Sequence, residues 1–183
     1  MSLRRLLPFC VLMVSFPLLT AAEAKPVVVK FGKLTSATPA DWTNEKPANR
    51  LRSYQFKLAS GEPSLADAEL YLMPDGNPDP ERSFPRWKAT FVPPEGKTVD
   101  DLAKVSKYEV SGATVHVLDM MGTWKYKERP FDPKSKEELR PDYRVIWVIV
   151  AEKDEATHIR LSGSAAVVDK HKKAFDGWLK AMK

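Results

Sequence analysis

Three histidines, His116, His158 and His171, are the side chains best suited to acid–base or metal chemistry, and no two of them share a local motif. None stands four residues from another, the spacing that puts two imidazoles on one turn-to-turn helical face. A shared zinc site would therefore need them to converge through folding alone. His116 falls in a strand pattern, His158 alternates with Arg160 on the polar side of another, and His171 belongs to an apolar helical stripe. Ordinary surface or half-buried histidines are the plainer reading. Ser164, in "LSGSAA", follows a strand pattern and precedes a helical one, yet the G-x-S-x-G elbow of a nucleophilic serine is missing. Serine is a preferred helix cap, and capping is its expected role. Asp75, Asn77 and Asp79 alternate in "PDGNPDP" as calcium ligands can, but the closing glutamate is absent and prolines interrupt the run, so a solvated turn is expected. The eight glycines form neither a G-x-G-x-x-G nor a P-loop pattern. Asp100-Asp101 and Glu137-Glu138 read as helix-start charges. No catalytic, cofactor-binding or metal-ligating residue is assigned, and no cofactor is expected.

What remains are arginines beside aromatic residues: Arg86 with Trp87, Trp124 and Tyr126 with Arg129, and Tyr143 with Arg144. Stacking and forked hydrogen bonding suit such groups to planar or anionic partners. The competing reading has Trp87 and Trp124 filling the gap between helix and sheet, with arginines lying over them. That reading is favoured, because buried aromatics dominate cores of this size.

The elements that must position these residues are mostly strands. "KPVVVKFGKL" reads as a first strand, followed by a loop around Trp42. In "RLRSYQFKL", Tyr54, Phe56 and Leu58 alternate with polar residues, and "ADAELYLM" alternates likewise, with "ASGEPSL" as the loop between them. Ser83 and Pro85 are expected to open a short helix on which Trp87 and Phe91, four apart, share a face. "TVDDLAKV" adds a helical turn capped by Thr98 or Asp100. "KYEVSGATVHVLDMMGTWKYK" is a hairpin turning at Ser111-Gly112, with its second strand running to Tyr126. "KERPFDPKSKEELRPD" reads as a polar excursion, "YRVIWVIVAE" as a central strand covered on both faces, and "THIRLSG" as its neighbour. A C-terminal helix carries Val168, His171, Phe175, Trp178 and Met182 on one stripe. The expected class is α+β: an antiparallel sheet of about six or seven strands flanked by a short central helix and a long C-terminal helix.

Residues 1–24 have the parts of a secretory signal. Arg4 and Arg5 precede an apolar run from Leu6 to Leu19, and Ala22-Glu23-Ala24 supplies the small residues of a cleavage site. Cleavage after Ala24 is expected, with an uncleaved N-terminal anchor as the alternative. The single cysteine, Cys10, lies inside that signal, so residues 25–183 form one domain free of disulfides and thiol chemistry. Five tryptophans, eight phenylalanines and five tyrosines supply its core. The net charge of +5 is spread along the chain, with "KHKK" (Lys170 to Lys173) its densest cluster. That is not the basic stripe with interleaved aromatics that nucleic-acid binding needs.

The tracts "RWKATFVPPEGK", "SGATVHVLDMMG", "RPDYRVIWVIV" and "KKAFDGWLKAMK" resemble a family of small exported bacterial proteins without an assigned activity. The order of elements is similar to the PsbP-like fold, a sheet with helices on both sides. Its members include extrinsic proteins of photosystem II and a eukaryotic factor that binds a small GTPase. The resemblance implies an exported, monomeric, non-enzymatic binding or assembly module, periplasmic or extracellular, reached by the general secretory route. Its partner would be an envelope protein or a small ligand, with no nucleic acid and no membrane span once the signal is removed. The alternative is a hydrolase or metal-dependent enzyme whose site forms only by tertiary convergence.

Overall fold

The computed structural model of the chain describes residues 25–75, 79–129, 132–153 and 155–183. The expected signal at 1–24 and Asn77 lie outside them. The sheet grows from β8 (Ala113–Lys127) and β9 (Glu137–Ala151), fifteen residues each, paired from Thr114↔Ala151 to Lys127↔Glu137. β7 (Ala103–Val110) joins the outer edge of β8 through a two-residue turn. Ser111 at φ 49° and Gly112 at φ 85° give that turn the left-handed backbone a tight hairpin requires. On the other side of β9 lie β10 (Ala156–Ser164), β5 (Ala68–Asp75), β4 (Tyr54–Leu58) and β3 (Trp42–Glu45), all antiparallel. β6 (Phe91–Val92) pairs with β8 beyond the end of β7, completing eight strands.

Residues directly opposite one another across antiparallel strands share a face. The rungs Val117–Val148–Ile159–Leu72 and Ile146–Leu161–Leu70–Phe56 therefore form one apolar face. It is covered by α2 (Ala165–Lys180), whose Val168, His171, Phe175 and Trp178 are buried along with Met182 just past its end, as the stripe predicts. A hairpin of β1 (Val28–Phe31) and β2 (Leu34–Ala37) closes over the far side of α2. There Phe31 packs 5.0 Å from Trp178, and Thr35 and Lys183 exchange backbone hydrogen bonds of 2.9 and 3.1 Å. The second face carries the rungs Leu118–Trp147–Arg160–Tyr71 and His116–Ile149–His158–Met73. It is covered in part by α1 (Pro80–Lys88).

Several local expectations change. The stretch 25–34 is two strands, because Gly32 at φ 63° turns the chain back. The segment at Trp42 is a strand, since that indole fills the space between Phe56, Phe175 and Trp178 at 5.1 to 6.5 Å. Asp79, whose carboxylate accepts from the Arg82 amide at 3.0 Å, caps α1 in place of Ser83; Pro80 takes the first turn, and Ser83 is buried inside the helix. Because α1 ends at Lys88, Phe91 belongs to β6, and it meets Trp87 only through Trp147, on which both pack. Thr98 opens a 3-10 turn at Val99–Leu102 with Asp101 in a reciprocal capping box, as anticipated. Glu137 and Glu138 begin β9 rather than a helix, and the polar excursion shrinks accordingly. Ser164 holds the cap position of α2, but its hydroxyl makes no capping bond.

β10 passes into α2 without a loop, and Gly163 lies where the two meet β5. A Cβ there would stand 2.8 Å from the Ala68 side chain and 3.1 Å from its backbone. Gly163→Ala is expected to lower the unfolding free energy by about 1–3 kcal/mol through overpacking, measurable by urea titration.

Candidate functional site

On the second face, arginine and aromatic side chains alternate across four strands. The Arg52 guanidinium lies 4.0 Å over the Tyr71 ring, and that of Arg160 lies 4.4 Å over the same ring and 5.2 Å over Trp124. Trp124 stacks on Tyr143 at 5.5 Å and meets Tyr126 edge-on at 5.2 Å. Arg140 completes the run, 3.6 Å over Tyr126 and 5.5 Å over Tyr143. The geometry has identifiable local causes. Arg160 and Tyr71 are opposite one another on β10 and β5. Trp124 reaches this face by the same alternation on β8 as Leu118 and Met120, while the extra residue of β9 between Tyr143 and Arg140 brings Arg140 onto it; the Trp124 indole N–H is held by the Thr90 hydroxyl at 3.1 Å.

Two glutamates balance the cations. Glu69 accepts from Arg52 at 2.6 Å and from Arg160 at 3.3 Å, while Glu138 accepts two bonds from Arg140 at 3.0 and 3.1 Å. The Arg160 Nε is buried and has no hydrogen-bond partner among the described residues. Arg140 is half-buried; although burial pulls its pKa down, the bonds to Glu138 and Tyr143 outweigh that and raise it. Arg140 holds the Glu138 carboxyl below the usual carboxylate range. Arg140 therefore keeps its charge at any physiological pH. Beyond Arg140 the groove opens into a cleft of about 730 Å³ lined by Tyr126, Arg129, Lys134 and Glu138 among others.

Of the residues singled out from sequence, Trp124, Tyr126 and Tyr143 come together here. Arg129 lies at the cleft, with its side chain 73% exposed and Asp132 3.9 Å away. Arg144 does not join them. It points to the α2 face, where it makes a bidentate pair with Asp119 (2.8 and 2.5 Å) and a further pair with Asp169 on α2, and these carboxylates push its pKa up. Trp87 serves packing, stacked 5.6 Å from Trp147 and edge-on to His158 at 5.5 Å. Arg86 is exposed on α1. Sequence reasoning missed Arg52, Arg160, Arg140 and Tyr71. The available signal was the strand period of two, which puts Arg160 on the face that Ile159 and Leu161 do not use.

The histidines do not converge on a cleft. His171, on the inner side of α2, is buried and donates to the Ala59 carbonyl at 2.9 Å, and neither the cleft beside Arg140 nor a smaller one between Lys33 and Glu155 is lined by a histidine. No group of three His, Cys, Asp or Glu side chains suited to a metal occurs among the described residues. His158 stands 3.2 Å from Asp75 under Trp87. Burial lowers its pKa, Asp75 opposes this, and Arg86 adds to the lowering; His116 is lowered by burial and by Lys107. A histidine whose folded pKa is depressed adds stability that is complete above the unfolded value of about 6.5 and is lost as pH falls through the folded value. Stability is thus expected to decline below pH ~6.5, by at most about 1.4 kcal/mol per pH unit for each histidine. His158→Phe is expected to flatten that slope in urea titrations compared at several pH values.

No protein-family model matches the sequence, and no curated protein does. Solved structures do. The solution structure of PsbP from the cyanobacterium Synechocystis sp. PCC 6803 superposes with a TM-score of 0.50 at 12% identity, over 93% of this chain and 98% of that one. The crystal structure of LpqN from Mycobacterium tuberculosis, described as involved in cell envelope biogenesis, superposes with a TM-score of 0.50 at 10% identity, over 87% and 90%. With its antiparallel sheet between a short helix and a long C-terminal one, this chain has the PsbP-like fold.

Proposed function

We propose that the protein is an exported, non-enzymatic binding or assembly module of the cell envelope that docks its partner on the arginine–aromatic face. The observation that carries this reading is the unbroken run from Arg52 through Tyr71, Arg160, Trp124 and Tyr143 to Arg140. Guanidinium planes laid over rings leave their N–H edges directed sideways, where they suit carboxylates or other anionic groups of a partner. The leader pattern of residues 1–24 and the involvement of LpqN in cell envelope biogenesis agree with an extracytoplasmic setting. No helix among the described residues is long and apolar enough to cross a membrane. Reading the chain as a hydrolase or metal enzyme has less behind it, since the His158–Asp75 pair sits under Trp87 and not in either cleft.

N-terminal sequencing of the protein recovered from its host is expected to begin at Lys25; a start at Met1 would replace the exported domain with an anchored one. A photo-reactive residue placed at Lys57, on the arginine side of the sheet, is expected to crosslink the partner in intact cells, whereas one at Lys173 on α2 is not. Arg140→Ala combined with Arg160→Ala is expected to weaken the captured complex at least tenfold, or about 1.4 kcal/mol. Equal crosslinking from Lys173, or capture indifferent to both substitutions, rules this face out.

A further inference from the structure

Among the described residues, the outer edge of β7 is long, uncovered and regular. It runs eight residues without proline or bulge, pairs only with β8, and exposes Val105 to 56%. In a two-residue hairpin the residues flanking the turn, Val110 and Ala113, form a hydrogen-bonded pair. Alternate residues then face away, so the peptide groups of Val105, Lys107 and Glu109 point outward from the sheet. None of the backbone hydrogen bonds outside the ladders, among the described residues, reaches them. The opposite edge, β3, has four residues only.

We propose that β7 pairs with β7 of a second copy of this chain, antiparallel about a twofold axis through Tyr108 and normal to the sheet. Such an axis keeps equivalent faces together, so each residue meets one of its own parity. Three centres bring the outward peptide groups into register, and charge decides among them. An axis through Lys107 sets two ammonium groups against each other, and one through Ser106 leaves Glu109 opposite Ala103. The axis through Tyr108 places Lys107 opposite the partner's Glu109, and Glu109 opposite the partner's Lys107. Both pairs lie on the outward rungs that exchange peptide hydrogen bonds, and the two Tyr108 residues face each other on the rung between, with their rings on the opposite, α2 side of the sheet. Edge lysines ordinarily prevent such pairing. Here Glu109, two residues along on the same face, supplies the opposite charge; one of its oxygens accepts from Thr114 at 2.7 Å, leaving the other for the partner. The dimer extends the sheet and leaves the arginine–aromatic face open on both copies, so it stands independently of the docking reading.

Sedimentation equilibrium on residues 25–183, over a wide range of loading concentrations, tests it. The wild type is expected to show reversible monomer–dimer behaviour that weakens with salt. Lys107→Glu and Glu109→Lys are each expected to raise the dissociation constant at least tenfold, as about 1.4 kcal/mol per decade implies. The K107E/E109K exchange is expected to restore most of the affinity, because it recreates both opposed pairs. Circular dichroism checks that every variant is folded. A wild type monomeric throughout, a dimer indifferent to either single reversal, or an exchange variant no better than the singles would each overturn the proposal.

Discussion

β9 carries six consecutive apolar residues from Val145 to Val150, and all six are buried. Side chains alternate across a strand, so three of the six point to each face, and neither face of the sheet can be left to water. α2, with sixteen residues and a continuous apolar stripe, meets this demand on one side. α1 has nine residues, roughly 14 Å of helix, against a sheet seven strands wide that is roughly 29 Å across, because β6 and β7 share one edge of β8. It seals Trp147 and Ile149 but cannot reach β5 and β4. The guanidinium groups of Arg52, Arg160 and Arg140, lying over Tyr71, Trp124 and Tyr126 and paired with Glu69 and Glu138, close what the helix leaves open. The candidate site is thus a consequence of how the second face is covered.

Elements with a strong period were legible in the sequence. The C-terminal stripe, the Ser111-Gly112 hairpin and the apolar run of β9 each state their environment locally, and each is found as expected. What escaped reading depends on long-range partners. Trp42 sits among prolines and polar residues, and it forms a strand because α2 and β4 present aromatic rings to receive it. Asp79 displaced Ser83 as a cap because two consecutive residues, Asp79 and Pro80, both suit a helix start, one as acceptor and one by its fixed φ.

The site was half legible for a related reason. Adjacency in sequence suggested Tyr143 with Arg144, but neighbours on a strand point to opposite faces. Tyr143 joins the aromatic run while Arg144, on the α2 face, ties β9 to Asp119 of β8 and to Asp169 of α2. The arginines that do share the aromatic face come from three separate segments and meet only once β5, β10, β9 and β8 are in register. No local pattern encodes that meeting.

The bonds between Thr35 and Lys183 join β2, near the start of the described residues, to their end. Ser36 donates to the Trp178 carbonyl at 2.9 Å and Ser111 to that of Met182 at 2.7 Å, so two separate segments, β2 and the β7–β8 turn, are fastened to the C-terminal end of α2 and the residues just past it. A chain made from its N-terminus onward holds Phe31, Trp42 and Phe56 without their helix until the final two dozen residues emerge. This half of the core therefore rests on contacts more than a hundred positions apart in sequence, the kind whose loop-closure entropy slows folding.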